Sequence, residues 1–488
     1  MRKMILLLAA AISLPVLAQE TNKEAFAFTL PVTHQIRTVN VRDFAASLPS
    51  NLSSLPVQHK SMRSSQRVTP MTAADSALWI NRINNMPDYM VGFYQNYSRL
   101  VNDILIGQDN FLSNPAMGEQ DGSMSYIPLI LWEDQINFSF SPDATQDQIL
   151  EIATQAYNNV INDFENEFYI FMPYLTMCLS YDNPQAFWIG NHYSYGIIGA
   201  SPSVYLTSNT TGYVDYSEMG IIVLKSETYD IRINEYIDSF SLRNGITLFN
   251  SAVGTILNEL PQSSLYDKLL YLNDWLTSHN CYSSALGKGN EPTIIRSPMS
   301  ALMGNVGDTG PVCEGYARAF KVLCDRLGVT SILITGWGKG KPSDTGEAHM
   351  WNEILMDNGK WYAVDVTWDD PVNAFFPDVA VSGSENHKWF LVGRNTIIND
   401  MLFHQSHINN IDHQYAVYWD YSCNTYIEKQ EYPDPTAVAA FGADAQSASV
   451  HDITGRLIGR FPSVQQAERS LSPGMYIING RKKTIISR

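Results

Sequence analysis

The chain has 488 residues, which allows about two to four domains at roughly 100–200 residues each, and 45% of them are hydrophobic, so general disorder is excluded. The formal net charge of −17 disfavours binding to phosphate backbones, so we expect no nucleic-acid partner. The five cysteines are too few for a disulfide framework and include no CxxC pair, and we expect no metal or organic cofactor.

The N-terminus predicts export. Residues 1–18, MRKMILLLAAAISLPVLA, have a basic start, a short apolar run and a small-residue end, which is typical of a secretory signal peptide. The apolar run is too short for a membrane span and no later segment reaches a spanning length, so we expect a soluble protein that is secreted or held at the cell surface. Residues 19–72 are rich in Ser, Pro, Thr and Asn and indicate a disordered leader or linker.

The next part of the chain mixes helical and strand patterns. We assign residues 73–140 to a helical N-terminal region, and a second helical pattern follows in ATQDQILEIATQAYNNVINDFENE. Strand-like runs then occur in AFWIGNHYSYG, SVYLT and GIIVLK, before another helical stretch, SSLYDKLLYLNDWLTSHN. With the strands described below, this order predicts an α+β fold.

Two cysteines lie in GPVCEGYARAFKVLCDRLG, residues 310–328, which reads as a helix that ends at Gly328. Cys324 falls on the apolar stripe of this helix, so we interpret it as a buried core residue. Cys313 falls at the helix start, just after Pro311, where free N–H groups and the positive end of the helix dipole favour a thiolate. Cys313 is therefore the candidate nucleophile.

A predicted hairpin follows the cysteine helix. AHMWNEILM and KWYAVDVTW alternate as strands and meet at Asp357-Asn358-Gly359, which is a strong turn signal. A two-residue loop would turn Asp365 to the face away from His349. A three-residue loop with a bulge would place Asp365 opposite Trp351, within side-chain reach of His349. A Cys-His-Asp arrangement therefore requires the three-residue loop, and spacing alone leaves both registers open.

CEGYARAF followed by HMWNEILMDNGKWYAVDVTWDDP resembles the core of the transglutaminase-like superfamily, which has a papain-like fold. Cys313, His349 and Asp365 match its cysteine, histidine and aspartate positions. The resemblance covers about residues 140–420 and is strongest at 311–371, and we assign residues 141–425 to a transglutaminase-like domain with its core at 256–400. Residues 181–190 and 265–283 also resemble segments that precede this core in bacterial members.

The resemblance implies acyl chemistry on a protein or peptide substrate. The first hypothesis is a thiol hydrolase of the cysteine-protease type, which acts through a thioester on Cys313. The alternatives are a protein cross-linking transglutaminase, in which an amine accepts the acyl group, and an inactive surface module that binds peptide or polysaccharide. The backbone N–H of Cys313 is a candidate oxyanion donor, and the sequence does not identify a second donor.

Other polar and aromatic residues near these motifs have competing interpretations. Asp369 and Asp370 could replace Asp365 as the partner of His349. Three tryptophans are interpreted as packing around the site: Trp351, Trp361 and Trp368. Three histidines are interpreted as loop or surface residues rather than metal ligands: His404, His407 and His413.

The C-terminal residues 436–488 form a separate pattern. ASVHDITGRLIGRF and SLSPGMYIINGRKKTIIS alternate as strands and are punctuated by Thr454-Gly455 and Pro473-Gly474. The pattern resembles the C-terminal sorting tails of type IX secretion substrates, although the first strands of the usual sandwich are missing. A small structural β-appendage is the alternative, and a periplasmic location would follow if the tail does not act in sorting.

Overall fold

The computed structural model describes residues 37–40, 78–83, 85–107, 118–120, 124–189, 192–199, 202–225, 239–289, 291–371, 386–409, 427–434, 448–452, 456–461, 471, 474–478 and 481–485. The predicted signal peptide, Cys423 and His413 lie outside these residues. The described part combines helices with antiparallel sheets, so the predicted α+β class is confirmed. Within it, we find no helix whose length and hydropathy would allow it to cross a membrane.

The helices of the described part are α1 (Asp88–Leu105), α2 (Gln146–Asp182), α3 (Ser239–Asn258), α4 (Leu265–His279), α5 (Pro298–Leu302), α6 (Cys313–Arg326), α7 (Val366–Asp369) and α8 (Phe403–Ser406). Its strands are β1 (Arg37–Asn40), β2 (Gly118–Gln120), β3 (Met124–Ser139), β4 (His192–Gly199), β5 (Ser203–Leu206), β6 (Thr211–Lys225), β7 (Ser331–Gly338), β8 (Glu347–Leu355), β9 (Trp361–Val364), β10 (Ile397–Ile398), β11 (Met401–Leu402), β12 (His407–Asn409), β13 (Ala448–Asp452), β14 (Leu457–Phe461), β15 (Gly474–Ile478) and β16 (Arg481–Ile485). Reciprocal side-chain caps begin α2 at Thr145 and α4 at Ser264.

The N-terminal half builds a six-stranded sheet in the order β1-β4-β6-β3-β2, with β5 also paired to β6. Helix α1 confirms the helical pattern at the start of 73–140, but β3 lies in the same region and is extended. Pro128 disfavours a helix interior there, and antiparallel pairing with β6 along the length of the strand satisfies the backbone instead. Strand β1 belongs to the predicted leader 19–72, whose other residues fall outside the described part.

A second sheet, in the order β12-β7-β8-β9, packs against helix α6. The Asn352 side chain on β8 donates to the Ala317 carbonyl of α6 at 3.0 Å, which ties the two elements together. As predicted, α6 ends in a glycine cap: Gly328 follows the last turn with a φ of 71°.

The turn between β8 and β9 has three residues, Asp357 to Gly359. The Met356 N–H donates to the Lys360 carbonyl at 2.9 Å, and Gly359 has a φ of 74°. This is the three-residue hairpin loop with a left-handed last residue. The pairing of Asn352 with Val364 confirms the three-residue register, which places the next residue, Asp365, opposite Trp351.

One large hydrophobic core joins the N-terminal helices to the second sheet. The buried side chains of this core come from elements spread along the chain, the first being Trp79 and the last Phe403. The Trp79 indole donates to the Leu333 carbonyl of β7 at 3.0 Å. Asp182, at the end of α2, accepts from the backbone N–H groups of Trp79 at 2.8 Å and Ile80 at 3.2 Å. The segment that precedes α1 is therefore anchored to both halves of the chain.

The C-terminal tail forms its own four-stranded sheet in the order β14-β13-β15-β16. Its small core consists of Val450 and Ile478, with Leu471 and Tyr476 packed against them. These residues form a cluster separate from the large core. The strand pattern predicted for residues 436–488 is therefore present in the described positions.

Candidate active site

Cys313 is the first residue of α6 and is half-buried. The preceding residue is fixed because the Val312 N–H donates to the Ile295 carbonyl at 2.9 Å. A Cβ atom on Gly315 would lie 2.5 Å from that same carbonyl oxygen, so glycine is needed for the first turn of α6 to approach this loop. The geometry holds the thiol at a helix N-terminus, where unpaired backbone N–H groups favour negative charge.

His349 and Asp365 meet in the second sheet. His349 lies on β8, and Asp365 lies between the end of β9 and the start of α7. His349 Nε2 is 2.7 Å from Asp365 Oδ2, and the two side chains are only 3% and 1% exposed. The three-residue turn therefore allows the contact between His349 and Asp365, which the sequence predicted for this register only.

Cys313 completes the arrangement, because its side chain lies close enough to His349 to raise the pKa of the imidazole. Since Nε2 of His349 is directed to Asp365, Nδ1 is the ring nitrogen available to the thiol. The structure thus brings together all three residues singled out from the sequence, in the order thiol, imidazole, carboxylate. This is the arrangement of a nucleophile, a base and a group that orients the base.

The electrostatics favour a charged imidazole. Burial alone would lower the pKa of His349, but the Asp365 carboxylate and the Cys313 side chain outweigh it and raise the pKa to about 10. Burial would likewise raise the pKa of Asp365, yet hydrogen bonds and charge from His349 and His407 hold that pKa below its ordinary value. Both shifts stabilise the imidazolium–carboxylate pair at neutral pH.

The two acids of the TWDDP motif bind elsewhere. Asp369 accepts from the Trp389 N–H at 2.9 Å and from the Asn273 side chain at 3.3 Å. Asp370 accepts from the Tyr316 hydroxyl. Of the three neighbouring aspartates, Asp365 is thus the one in contact with His349.

His407 is a member of the site that sequence reasoning missed. Its Nε2 lies 3.0 Å from Asp365 Oδ2, the same oxygen that binds His349, and its side chain is 0% exposed. The sequence analysis treated it as a loop histidine beside His404. His404 fits that interpretation, because it is exposed and its Nδ1 binds the Arg394 carbonyl. No local sequence signal separates the two, because His407 reaches the site only through the pairing of β12 with β7.

Aromatic rings enclose the two histidines. Trp368 stacks on His349 with 4.8 Å between ring centroids, and Trp351 contacts both imidazoles. This agrees with the packing role expected for these two tryptophans. The enclosure keeps water away from the Asp365 hydrogen bonds and so strengthens them.

His349, Asp365 and His407 could in principle hold a metal ion, since their donor atoms lie within 4.8 Å of one another. However, hydrogen bonds to Asp365 already account for both Nε2 atoms. The thiol in contact with His349 also gives this cluster a different chemical partner. The two imidazoles and the carboxylate therefore fit a hydrogen-bonded network better than a metal site.

Tyr282 is a second residue that the sequence analysis missed. Its side chain is half-buried, and its hydroxyl lies beside the backbone N–H of Cys313. Burial is the main reason that the pKa of Tyr282 is raised above its ordinary value, with the nearby Cys313 and Glu347 adding to the effect, so the hydroxyl keeps its proton. A protonated phenol beside this N–H is suitably placed to donate to an anionic oxygen at the same point.

The remaining described cysteines lie in the interior of the fold. Cys178, Cys281 and Cys324 are buried and form no disulfide within the described residues. Cys324 is fully enclosed in the large core, as its position on the apolar stripe predicted. Cys313 is the most accessible of the four described thiols.

These features define a domain with a cysteine at a helix start and a His-Asp pair on an adjoining antiparallel sheet. Residues 255–366 match the family model of the transglutaminase-like superfamily. The matched segment contains Cys313, His349 and Asp365. The chain therefore carries a transglutaminase-like domain, as its motifs indicated.

Two curated relatives are similar to 30% of the chain. Kyphoscoliosis peptidase of Mus musculus is 25% identical over 155 residues, which is 30% of this chain and 22% of the relative. Kyphoscoliosis peptidase of Homo sapiens is 25% identical over 153 residues, with the same two coverages. The match thus spans about a fifth of the length of these relatives.

A crystal structure of an inferred cysteine protease from Cytophaga hutchinsonii is also similar. It is 14% identical and covers 39% of this chain and 70% of its own, with a TM-score of 0.20.

Proposed function

We propose that the protein is a thiol hydrolase that cleaves amide bonds in proteins or peptides through Cys313, His349 and Asp365. The observation that carries the proposal is the continuous contact from a helix-start thiol through a buried imidazole to a buried carboxylate. The peptidase names of the curated relatives support the same class of substrate.

The first half of the reaction is acylation. The Cys313 thiolate attacks the amide carbonyl carbon, and a C–S bond forms as the carbonyl oxygen becomes an oxyanion. The C–N bond then breaks, and His349 gives its Nδ1 proton to the leaving amine. Asp365 keeps the ring oriented and balances its charge until that proton leaves.

Two donors stabilise the oxyanion. The backbone N–H of Cys313 points into this position from the start of α6. The Tyr282 hydroxyl, which lies beside that N–H in the free protein, turns its proton towards the substrate oxygen. One such donor is worth about 10²–10³-fold in turnover in other acyl-transfer enzymes.

Deacylation decides between the two chemical alternatives. In hydrolysis, His349 takes a proton from water, the hydroxide adds to the thioester, and the C–S bond breaks to leave a carboxylic acid and the Cys313 thiolate. In cross-linking, a lysine amine of a second protein replaces water. We favour water because the curated relatives are named peptidases.

The first experiment measures iodoacetamide labelling of Cys313 by peptide mass spectrometry from about pH 4 to about pH 9, beside His349→Ala. We expect labelling to persist well below the ordinary thiol pKa of about 8.5 and to fall in the variant. Cys324, on the same helix, is an internal control, because burial in the core blocks the reagent and burial also raises its pKa.

Labelling of Cys313 only above the ordinary thiol pKa, with no effect of His349→Ala, would contradict the proposal and favour the inactive binding module. If the thiol is activated, peptide and amine substrates separate the remaining two functions. Cleaved ends support the hydrolase, and incorporated amine supports the cross-linker.

We propose in addition that the protein is exported and that residues 436–488 act as a sorting signal. The support is the N-terminal signal pattern and the strand-rich tail with its own core. Fractionation of the producing cells tests this. Deleting 436–488 should retain the protein in the periplasm without changing Cys313 labelling, whereas unchanged delivery to the surface or medium would assign the tail a structural role.

A further inference from the structure

His407 holds a position that the proposed reaction does not by itself explain. Its imidazole is fully enclosed, with Nε2 at 3.0 Å from Asp365 Oδ2 and Nδ1 at 2.9 Å from the Ser406 hydroxyl. Phe403 stacks on one face with 4.3 Å between ring centroids. Both ring nitrogens therefore have specific partners inside an otherwise aromatic enclosure.

The hydrogen-bond network assigns the tautomer of His407. Asp365 is an ionised carboxylate that can only accept, so its contact with the neutral ring at 3.0 Å places the ring proton on Nε2. The Ser406 hydroxyl lies within hydrogen-bond distance of both the Phe403 carbonyl, at 3.0 Å, and Nδ1, at 2.9 Å, and its proton can serve either acceptor. With Nδ1 as the acceptor, the ring proton lies on Nε2 and is donated to Asp365. His407 thus adds a donor to the carboxylate while it stays neutral.

Neutrality follows from the surroundings. The titratable groups that act on the His407 ring within the described residues are Asp365 and His349. Its other walls are the rings of Trp351, Trp368, Trp389 and Phe403. Burial lowers the pKa of His407 to about 4, because the attraction of Asp365 is outweighed and the charge on His349 adds to the effect. One carboxylate is therefore balanced by one imidazolium, that of His349.

We infer that His407 is a positioning residue, whose Nε2–H fixes the Asp365 carboxylate so that the same oxygen holds the His349 ring against Cys313. The inference deepens the proposed function and rests on it. Without this donor, Asp365 keeps the Trp368 N–H at 3.3 Å on its other oxygen, and the oxygen that serves His349 loses its second contact. The carboxylate can then rotate, and the imidazolium beside the thiol is held less well.

The test compares His407→Gln with His407→Met, two side chains of similar length and volume. Glutamine keeps an N–H donor that can reach Asp365, whereas methionine has none. Iodoacetamide labelling of Cys313 across pH is measured with thermal unfolding for each variant. Phe403→Leu is the packing control, because the Phe403 ring stacks on the His407 ring but carries no hydrogen-bonding group.

The acid limb of the profile is the pH range in which Cys313 labelling falls as the pH is lowered. We expect His407→Met to move this limb up by about one pH unit, so that labelling there becomes about tenfold slower. His407→Gln should restore most of the wild-type profile. Phe403→Leu should lower the unfolding temperature and leave the limb in place. This result is distinct from a loss of packing, which would shift all three variants alike.

A wild-type profile in a folded His407→Met protein would overturn the inference and leave the proposed function intact, as would an equal shift in Phe403→Leu. A wild-type protein without low-pH labelling would remove the proposed function itself and the inference with it. If neither His407 variant folds, Ser406→Ala decides, because it removes the hydroxyl that holds Nδ1 and so loosens the orientation of the His407 ring towards Asp365. A limb shifted in the same direction supports the inference, and an unshifted limb overturns it.

Discussion

The Asp365 side chain accepts three hydrogen bonds, two from histidines of the site and one from the backbone of helix α7. Its Oδ2 binds the Nε2 atoms of His349 at 2.7 Å and His407 at 3.0 Å, while Oδ1 accepts from the Trp368 N–H at 3.3 Å. The last contact caps α7. Since bonds to a charged acceptor are the stronger ones, the carboxylate is both the anchor of a short helix and the counter-ion of an imidazole.

Replacing Asp365 tests its charge. The folded-state pKa of His349 is raised, so the stability that the charged pair contributes is complete below the ordinary histidine pKa of about 6.5 and is lost as pH rises through about 10. In the proposed reaction, turnover needs the same proton. We therefore expect Asp365→Asn to lower kcat by about 10³–10⁴-fold and to move its basic limb to lower pH, measured as a kcat–pH profile.

Asp369→Asn is the matched control for this change. Asp369 is a neighbouring buried acid that binds the Trp389 N–H and Asn273 instead of His349. Its variant should keep the position of the basic limb. A basic limb that stays in place in Asp365→Asn would show that this carboxylate does not set the proton affinity of His349.

Tyr282→Phe separates oxyanion stabilisation from thiol activation. Peptide turnover should fall by about 10²–10³-fold, because the phenol donor is lost at the developing oxyanion. Iodoacetamide labelling of Cys313 should change little, because alkylation forms no oxyanion. The measurement compares the rates of peptide turnover and of iodoacetamide labelling in one preparation. Unchanged turnover would exclude Tyr282 as a donor to the oxyanion.

Among the elements, the hairpin β8–β9 decides whether the site forms. Its turn puts Met356 opposite Lys360 and allows Asp365 to reach the face of His349. A slip of one residue would turn every later side chain to the other face of the sheet. The turn is therefore part of the site although none of its three residues contacts the thiol.

Gly359→Ala tests the turn. Its φ of 74° is strained for any residue with a Cβ atom, so we expect a loss of about 1 kcal/mol in the free energy of unfolding, measured in urea. Gly254→Ala, in the interior of α3 with open space around it, should instead stabilise by about 0.5–1 kcal/mol. Equal effects of the two changes would show that backbone conformation does not limit the turn.

The hairpin also shows how far sequence reasoning extends. Asp-Asn-Gly between alternating runs identifies two paired strands, and the cap at Gly328 marks the end of the cysteine helix, because both are local effects. The choice of register, the contact of His407 with Asp365 and the place of Tyr282 beside Cys313 depend on long-range pairing. Strand β3 differs from the expected helical region for the same reason, since its partner β6 lies far along the chain.

At the scale of the whole molecule, the N-terminal part and the second sheet share one core. Trp79 reaches the Leu333 carbonyl, and Asp182 receives two backbone N–H groups from residues 79 and 80. Arg318 of α6 adds a buried bond at 2.8 Å to the Ser180 carbonyl of α2. The helix that carries Cys313 is thereby fixed to elements far outside the matched segment 255–366.

Asp182→Ala tests this attachment. It leaves two buried backbone N–H groups without their acceptor, so we expect the free energy of unfolding to fall by about 3 kcal/mol. Asp163→Ala, at an exposed position of the same helix, should stay within about 0.5 kcal/mol of wild type. Chemical denaturation gives the free energy of unfolding of both variants. Similar losses in the two would indicate that the Asp182 hydrogen bonds contribute little to stability.

The shared core limits how this chain can be recombined. A segment whose interior is completed by residues over two hundred positions away cannot be moved into another protein as a self-sufficient cassette, and a crossover near the start of 255–366 would expose the interior of both fragments. The tail is different, because its small interior is its own. Gene fusion and exchange should therefore be tolerated at the segment between 434 and 448 and rejected at the border of the transglutaminase-like domain.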